Sequence, residues 1–221
     1  MDIQSHSEEP VIPIHFELAT MIESVSSGRR ASDFRFDRIY PSAVRQFTRP
    51  HWTPFEVAIR AAELLVTDSK TRVLDVGSGA GKFCLIGAMT TPATFCGVEQ
   101  RGYLVNVCRA IASTYRIPRV SFVHENMASL DWSAFNAFYF FNPFYENINS
   151  GIRMGHEIEF SVQRYERCIR ITQKKLAMTP LGTRVVTYHG MGGEMPEGFV
   201  LVKREFRGTG PLELWIKERS E

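Results

Sequence analysis

The chain has 221 residues, 44% hydrophobic and 23% charged, which suits one soluble α/β domain with an added segment. A net charge of +2 is too small to imply a polyanionic partner, and no apolar run is long enough to span a bilayer. Met1 to Pro10 is polar and acidic, unlike a secretory signal, and Cys84, Cys96, Cys108 and Cys168 form no C-x-x-C pair. The expectation is a cytoplasmic protein with reduced thiols, no metal and no membrane.

Residues 1–10 are expected to fray. Leu18, Ala19, Ile22 and Val25 fall at helical spacing, and Ser26-Ser27-Gly28 ends that helix. An arginine-rich, aromatic stretch follows, from Arg29 to Arg49. It reads either as a basic arm facing a substrate or as a helical cap whose aromatics pack on the main domain. The cap is favoured, because charge runs usually face water. Residues 1–52 are therefore taken as an N-terminal cap or lid and 53–221 as the main domain. Thr53-Pro54-Phe55-Glu56 has the form of a capped helix start, with Thr53 as N-cap, Pro54 at the first position and Glu56 closing a capping box.

The run Val73-Leu74-Asp75-Val76 reads as a strand buried on both faces. It enters the glycine turn Gly77-Ser78-Gly79-Ala80-Gly81 and then a helix beginning at Lys82 and Phe83. Strand, glycine turn and helix N-terminus together form a site for a nucleotide-like ligand. The triphosphate loop is excluded, since only three residues separate Gly77 from Gly81 and Phe83 stands where Ser or Thr is required. The dinucleotide fingerprint G-x-G-x-x-G is also missed, because Lys82 holds its last glycine position.

A second strand ends in Glu99-Gln100. Glu99 lies 24 positions after Asp75, where an acidic residue accepts hydrogen bonds from ribose hydroxyls in nucleotide-binding α/β folds. After a helix over Tyr103–Tyr115, a third strand, Val120–His124, leads to Asn126-Met127. That turn reads either as an acceptor and apolar cover for an adenine or as an ordinary strand-to-loop turn. A fourth strand, Ala134–Phe141, closes on Asn142-Pro143-Phe144-Tyr145. There an asparagine oxygen and a nearby carbonyl suit an amine, and an aromatic face suits developing positive charge. Candidate groups for removing the amine's proton are Tyr145, Glu146, Asp37 and Tyr40. A long helix over His156–Met178 has a basic side formed by Arg164, Arg167, Arg170, Lys174 and Lys175; a solvated face is the favoured reading of it, RNA or an acidic partner the alternative. A fifth strand, Thr183–His189, and a hairpin over Phe199–Phe206 and Leu212–Lys217 complete the chain.

The pattern D-x-G-x-G-x-G at Asp75 to Gly81, with Glu99 and the Asn142-Pro143 strand end, resembles the class I S-adenosylmethionine (SAM)-dependent methyltransferases. The resemblance covers residue 53 to the end. It implies a Rossmann-like seven-stranded, mostly parallel sheet with an antiparallel last strand. It implies SAM as cofactor, with Asp75, Gly77, Ser78, Gly79 and Gly81 at its methionine end, Glu99 at the ribose, Gln100 beside it among the cofactor-binding residues, Asn126 and Met127 at the adenine, and Asn142 at the transfer site. Asn142-Pro143-Phe144-Tyr145 is similar to the N-P-P-Y of amino-group methyltransferases, with Phe144 replacing the second proline. The Val-Leu-Asp-Val-Gly-Ser-Gly and Gly-Val-Glu runs are similar to non-SET lysine methyltransferases. The implied reaction is methylation of a nitrogen nucleophile on a protein amine such as lysine. RNA, a small molecule and a non-catalytic SAM-binding module are the alternatives.

Overall fold

A computed structural model describes residues 20, 33–47, 51–148 and 159–219. Strand β1 (Arg72–Val76) is central because four of its five residues are buried. Its alternation feeds two cores. Val73 packs into one face of the sheet, while Leu74 and Val76 pack into the other. Strand β4 (Ala137–Phe141) repeats this, with Ala137 and Tyr139 on the first face and Phe138 and Phe140 on the second. Both strands are near-continuous apolar runs, as a sheet covered on both faces requires.

The other strands are β2 (Thr94–Glu99), β3 (Val120–His124), β5 (Arg184–Tyr188), β6 (Phe199–Arg207) and β7 (Gly210–Lys217). The seven strands run in the order β3-β2-β1-β4-β5-β7-β6. Neighbours among β1 to β5 are parallel; β7 is antiparallel to both β5 and β6. The hairpin thus inserts its second strand beside β5 and leaves β6 at the edge.

Two short helices, α1 (Asp33–Phe36) and α2 (Ser42–Arg45), precede α3 (Phe55–Leu65), α4 (Lys82–Thr90), α5 (Gly102–Thr114) and α6 (Val162–Ala177). Helices α3, α4 and α5 bury their apolar residues in the first core, and α6 buries Leu176 in the second. The arginine-rich stretch behaves as a cap over its described part. Phe36, Ile39, Tyr40, Val44 and Trp52 join the first core, whereas Arg35, Arg38 and Arg45 are exposed. The helix expected over Phe16–Val25 lies outside the described residues except for Thr20, which is helical.

Three local expectations change. Thr53 does not cap α3. Its hydroxyl shares a 2.9 Å hydrogen bond with the Tyr139 hydroxyl inside the core, and the Phe55 N–H donates instead to Asp33 Oδ1 at 2.8 Å. The cap comes from 22 residues upstream, beyond the reach of a local motif. Helix α6 starts at Val162 because the Ser161 side chain accepts from the Arg164 N–H and stops the helix there. Strand β4 starts at Ala137, since Asp131 and Trp132 fold the preceding residues into a turn.

Lys82 opens α4 with its side chain buried. Its Nζ pairs with Asp33 Oδ1 at 2.5 Å and Asp37 Oδ1 at 2.7 Å. A cation at a helix N-terminus opposes the helix dipole, so these two carboxylates are what makes it tolerable. The lysine that would face phosphates in a triphosphate loop here ties the cap to the glycine turn.

Candidate active site

β1 sits between β2 and β4, and the chain leaves it in one direction and returns to β4 in the other. Such a switch of direction opens a crevice at the carboxyl ends of the strands. A cavity occupies that place. Val76 and Gly77 line it from β1, Glu99 to Arg101 from β2, Glu125 to Met127 from β3 and Phe141 to Asn147 from β4. His51 from the cap and Phe160, Arg164 and Cys168 at the start of α6 complete the walls.

Of the residues expected in the site, Gly77, Glu99, Gln100, Asn126, Met127, Asn142, Pro143, Phe144 and Tyr145 share this cavity. Asp75, Ser78, Gly79 and Gly81 do not line it. They lie behind the wall and shape it. Gly79 donates its N–H to Glu99 Oε2 at 3.1 Å and so orients that carboxylate. Gly81 has φ +73°, and any Cβ there would collide with Phe122 and Cys108. Asp75 is buried beneath the turn, where burial pushes its carboxyl up to about 7; the Cys84 thiol, donating to Oδ2, opposes that rise, and nearby Glu99 adds to it. Asp37 and Tyr40 also stand away from the cavity, leaving Tyr145 and Glu146 as the two proton-removing candidates that face it.

The ends of β1 and β4 touch. A Cβ on Gly77 would stand 2.9 Å from Pro143 Cβ, so glycine is what lets the two loops close on each other. Asn142 adopts a left-handed φ of +37°, a conformation asparagine tolerates better than most residues. Its N–H donates to the Gly190 carbonyl at 3.0 Å, and its own carbonyl accepts from the Tyr145 N–H at 3.2 Å. The loop after β5 therefore holds Asn142 in this strained form, as is common at functional positions.

Glu99 is 4% exposed, and its carboxylate is already engaged. Oε1 accepts from the Arg101 N–H at 2.9 Å and from Arg101 Nη1 at 3.2 Å. Arg101 Nη2 also pairs with Glu146. Arg101 thus links the end of β2 to the loop after β4 across the cavity wall. Its buried Nε has no hydrogen-bond partner among the described residues. Beside it, Gln100 Oε1 accepts from Arg164 Nη2 at 2.6 Å.

No family model matches the chain, and no curated protein matches it in sequence. Solved structures do match in shape. An RNA methyltransferase from Salinibacter ruber, in complex with S-adenosyl-L-homocysteine, is 18% identical with a TM-score of 0.56, covering 77% of this chain and 96% of that one. An rRNA methylase from Streptococcus thermophilus is 13% identical at a TM-score of 0.51, covering 76% and 98%. TrmN from Thermus thermophilus is 16% identical at a TM-score of 0.55; the match covers 79% of this chain but only about half (52%) of TrmN. The fold is that of the class I methyltransferases. In a methyltransferase fold the crevice at the strand ends is the expected seat of a nucleoside-bearing ligand.

Arg101, Arg164, Phe160 and Cys168 were not among the site residues the sequence suggested. Arg101 immediately follows Gln100, and its acidic partner Glu146 follows Tyr145, so opposite charges flanking the two motifs were a readable signal. For Phe160 and Cys168 no local pattern points inward. Among the described residues, no group of three or more His, Cys, Asp or Glu comes together as a metal site, and no helix is long and apolar enough to cross a membrane.

Proposed function

We propose that the chain is a SAM-dependent methyltransferase acting on a nitrogen nucleophile. The observation that supports this reading is a single cavity joining four strand ends: Gly77, Glu99, Asn126-Met127 and Asn142 to Tyr145. The donor set fits the cofactor. Glu99 Oε2 has accepted one bond, from Gly79, and retains capacity for a ribose hydroxyl. A second hydroxyl reaches Oε1 when Arg101 Nη1 gives up its bond there, and the unpartnered Arg101 Nε offers the ligand a donor. Met127, 8% exposed, would cover one side of an adenine, with Asn126 at its edge. When bound, the cofactor supplies an electrophilic methyl group on a sulfonium.

The chain's own contribution is binding, orientation and handling of one proton. The Asn142 side-chain oxygen accepts from the incoming N–H and turns the nitrogen lone pair toward the cofactor end of the cavity. Phe141 and Tyr145 offer aromatic faces to the positive charge that grows on the nitrogen. Glu146 or Tyr145 takes the released proton. The acceptor classes are a protein amine, RNA or a small molecule; the neighbours whose own names specify RNA support the second.

Two variants test the reading. Glu99→Gln preserves volume but removes the charge, and each charge-assisted hydrogen bond contributes roughly 1.5–3 kcal/mol. Calorimetry should therefore show S-adenosylhomocysteine binding weakened by about tenfold or more. Unchanged affinity would remove Glu99 from the ribose. Asn142→Gly retains the left-handed backbone while deleting the amide. It should bind S-adenosylhomocysteine as before, yet transfer tritiated methyl from SAM into fractionated cell extract about 100-fold more slowly, the scale of losing one oriented polar group. Full transfer by this variant would place the reaction elsewhere.

A further inference from the structure

Helix α6 carries five basic residues and one acidic residue, although the whole chain is only +2. That helix begins at the cavity wall, so its own excess of positive charge lies beside the site. At 100° per residue, Arg167, Arg170 and Lys174 fall on one stripe, opposite the side that buries Thr172 and Leu176. All three are exposed. Arg170 meets Glu166 at 3.6 Å, a loose surface pair worth little. Arg164 stands at the head of the stripe and lines the cavity. From Arg164 to Lys174 the helix extends ~15 Å at 1.5 Å per residue.

The mouth of the cavity adds aromatic surface. Tyr145 is exposed there, and Phe141 and Phe160 are half-buried. A basic track leading to aromatic faces is the arrangement by which single strands are held, with phosphates on the cations and bases on the rings. A lysine-rich protein segment would be repelled along the same track, and a small amine has no use for its length.

We propose that the outer face of α6 binds the phosphate backbone of a single-stranded RNA whose base enters the cavity. This rests on the methyltransferase reading and names its acceptor class. The test is fluorescence anisotropy with a labelled single-stranded RNA of about 12 nucleotides, within the usual range of single-strand sites. The full chain should bind it with strong salt dependence. The triple variant Arg167→Gln, Arg170→Gln, Lys174→Gln should bind at least about tenfold more weakly, with a salt slope shallower by about 2, as expected when three phosphate contacts on a single strand are lost. The charge-preserving pair Arg167→Lys, Arg170→Lys should bind as the parent does. S-adenosylhomocysteine affinity should be the same in all of these chains. If the parent binds S-adenosylhomocysteine but its RNA affinity does not respond to the triple variant, the RNA track is overturned and the methyltransferase reading stands. If polyglutamate binds as tightly as the RNA and responds alike, the partner is an acidic protein and the proposal fails. Loss of S-adenosylhomocysteine binding by the parent itself would instead strike the reading on which this one rests.

Discussion

Lys82→Met is expected to lower the free energy of unfolding by about 3–5 kcal/mol, the usual cost of removing one partner of a buried ion pair. The two carboxylates that Lys82 holds are not equivalent. The Asp33 side chain is 46% exposed and can rehydrate, whereas that of Asp37 is 9% exposed and cannot. The penalty therefore arises at Asp37. Adding Asp37→Asn to Lys82→Met should restore most of the loss, because an amide in that place carries no charge to desolvate. Urea unfolding of the two variants measures this directly. A double variant no more stable than the single one would show that the ion pair is not what anchors the cap. The effect should reach the cavity as well, since Trp52 of the cap stands 3.9 Å from the position a Cβ on Gly79 would take.

The second large effect is a pH dependence centred on Asp75. Burial raises its carboxyl from the ordinary 3.8 to about 7, against the Cys84 thiol that favours the ionised form. The folded chain therefore holds a proton that the unfolded chain releases near pH 4. Stability from this group is complete below that value and falls as pH rises towards 7. Asp75→Asn removes the slope. Relative to the parent, its unfolding free energy should climb by about 2–3 kcal/mol between pH 5 and pH 7, at 1.36 kcal/mol per unit. Glu205, held below the usual carboxylate range by its bonds to Arg60, contributes the opposite slope only in more acid solution. Parallel stability profiles for parent and variant across the interval would mean that Asp75 stays ionised in the folded chain.

Much of the architecture is legible in the residues because the signals are local. Val73-Leu74-Asp75-Val76 and Phe138-Tyr139-Phe140 read as doubly covered strands, and the three alternating glycines fix a turn whose geometry few other residues could adopt. The spacing from Asp75 to Glu99 is set by one helix and one loop, so it too is countable. What escapes the sequence is contact between distant segments. Nothing near Thr53 reveals that its hydroxyl will satisfy Tyr139 while Asp33 caps α3. Nothing beside Gln100 states that its side chain will meet Arg164, 64 residues further on. The glycine motif also reads as one ligand-facing unit, yet only Gly77 reaches the cavity. Asp75, Ser78, Gly79 and Gly81 act from behind it, because a tight turn can aim only part of its backbone outward.

The double duty of Asp33 Oδ1 alters where the molecule can be divided. One oxygen accepts from both Phe55 N–H and Lys82 Nζ. Together with Trp52 over the glycine turn, it makes the described part of the cap a keystone rather than an appendage. A chain severed between 52 and 53, the boundary expected from the sequence, would lose the α3 cap, the counter-ions of Lys82 and the aromatic cover of the turn in one stroke. A chain that keeps all three contacts therefore begins upstream of Asp33.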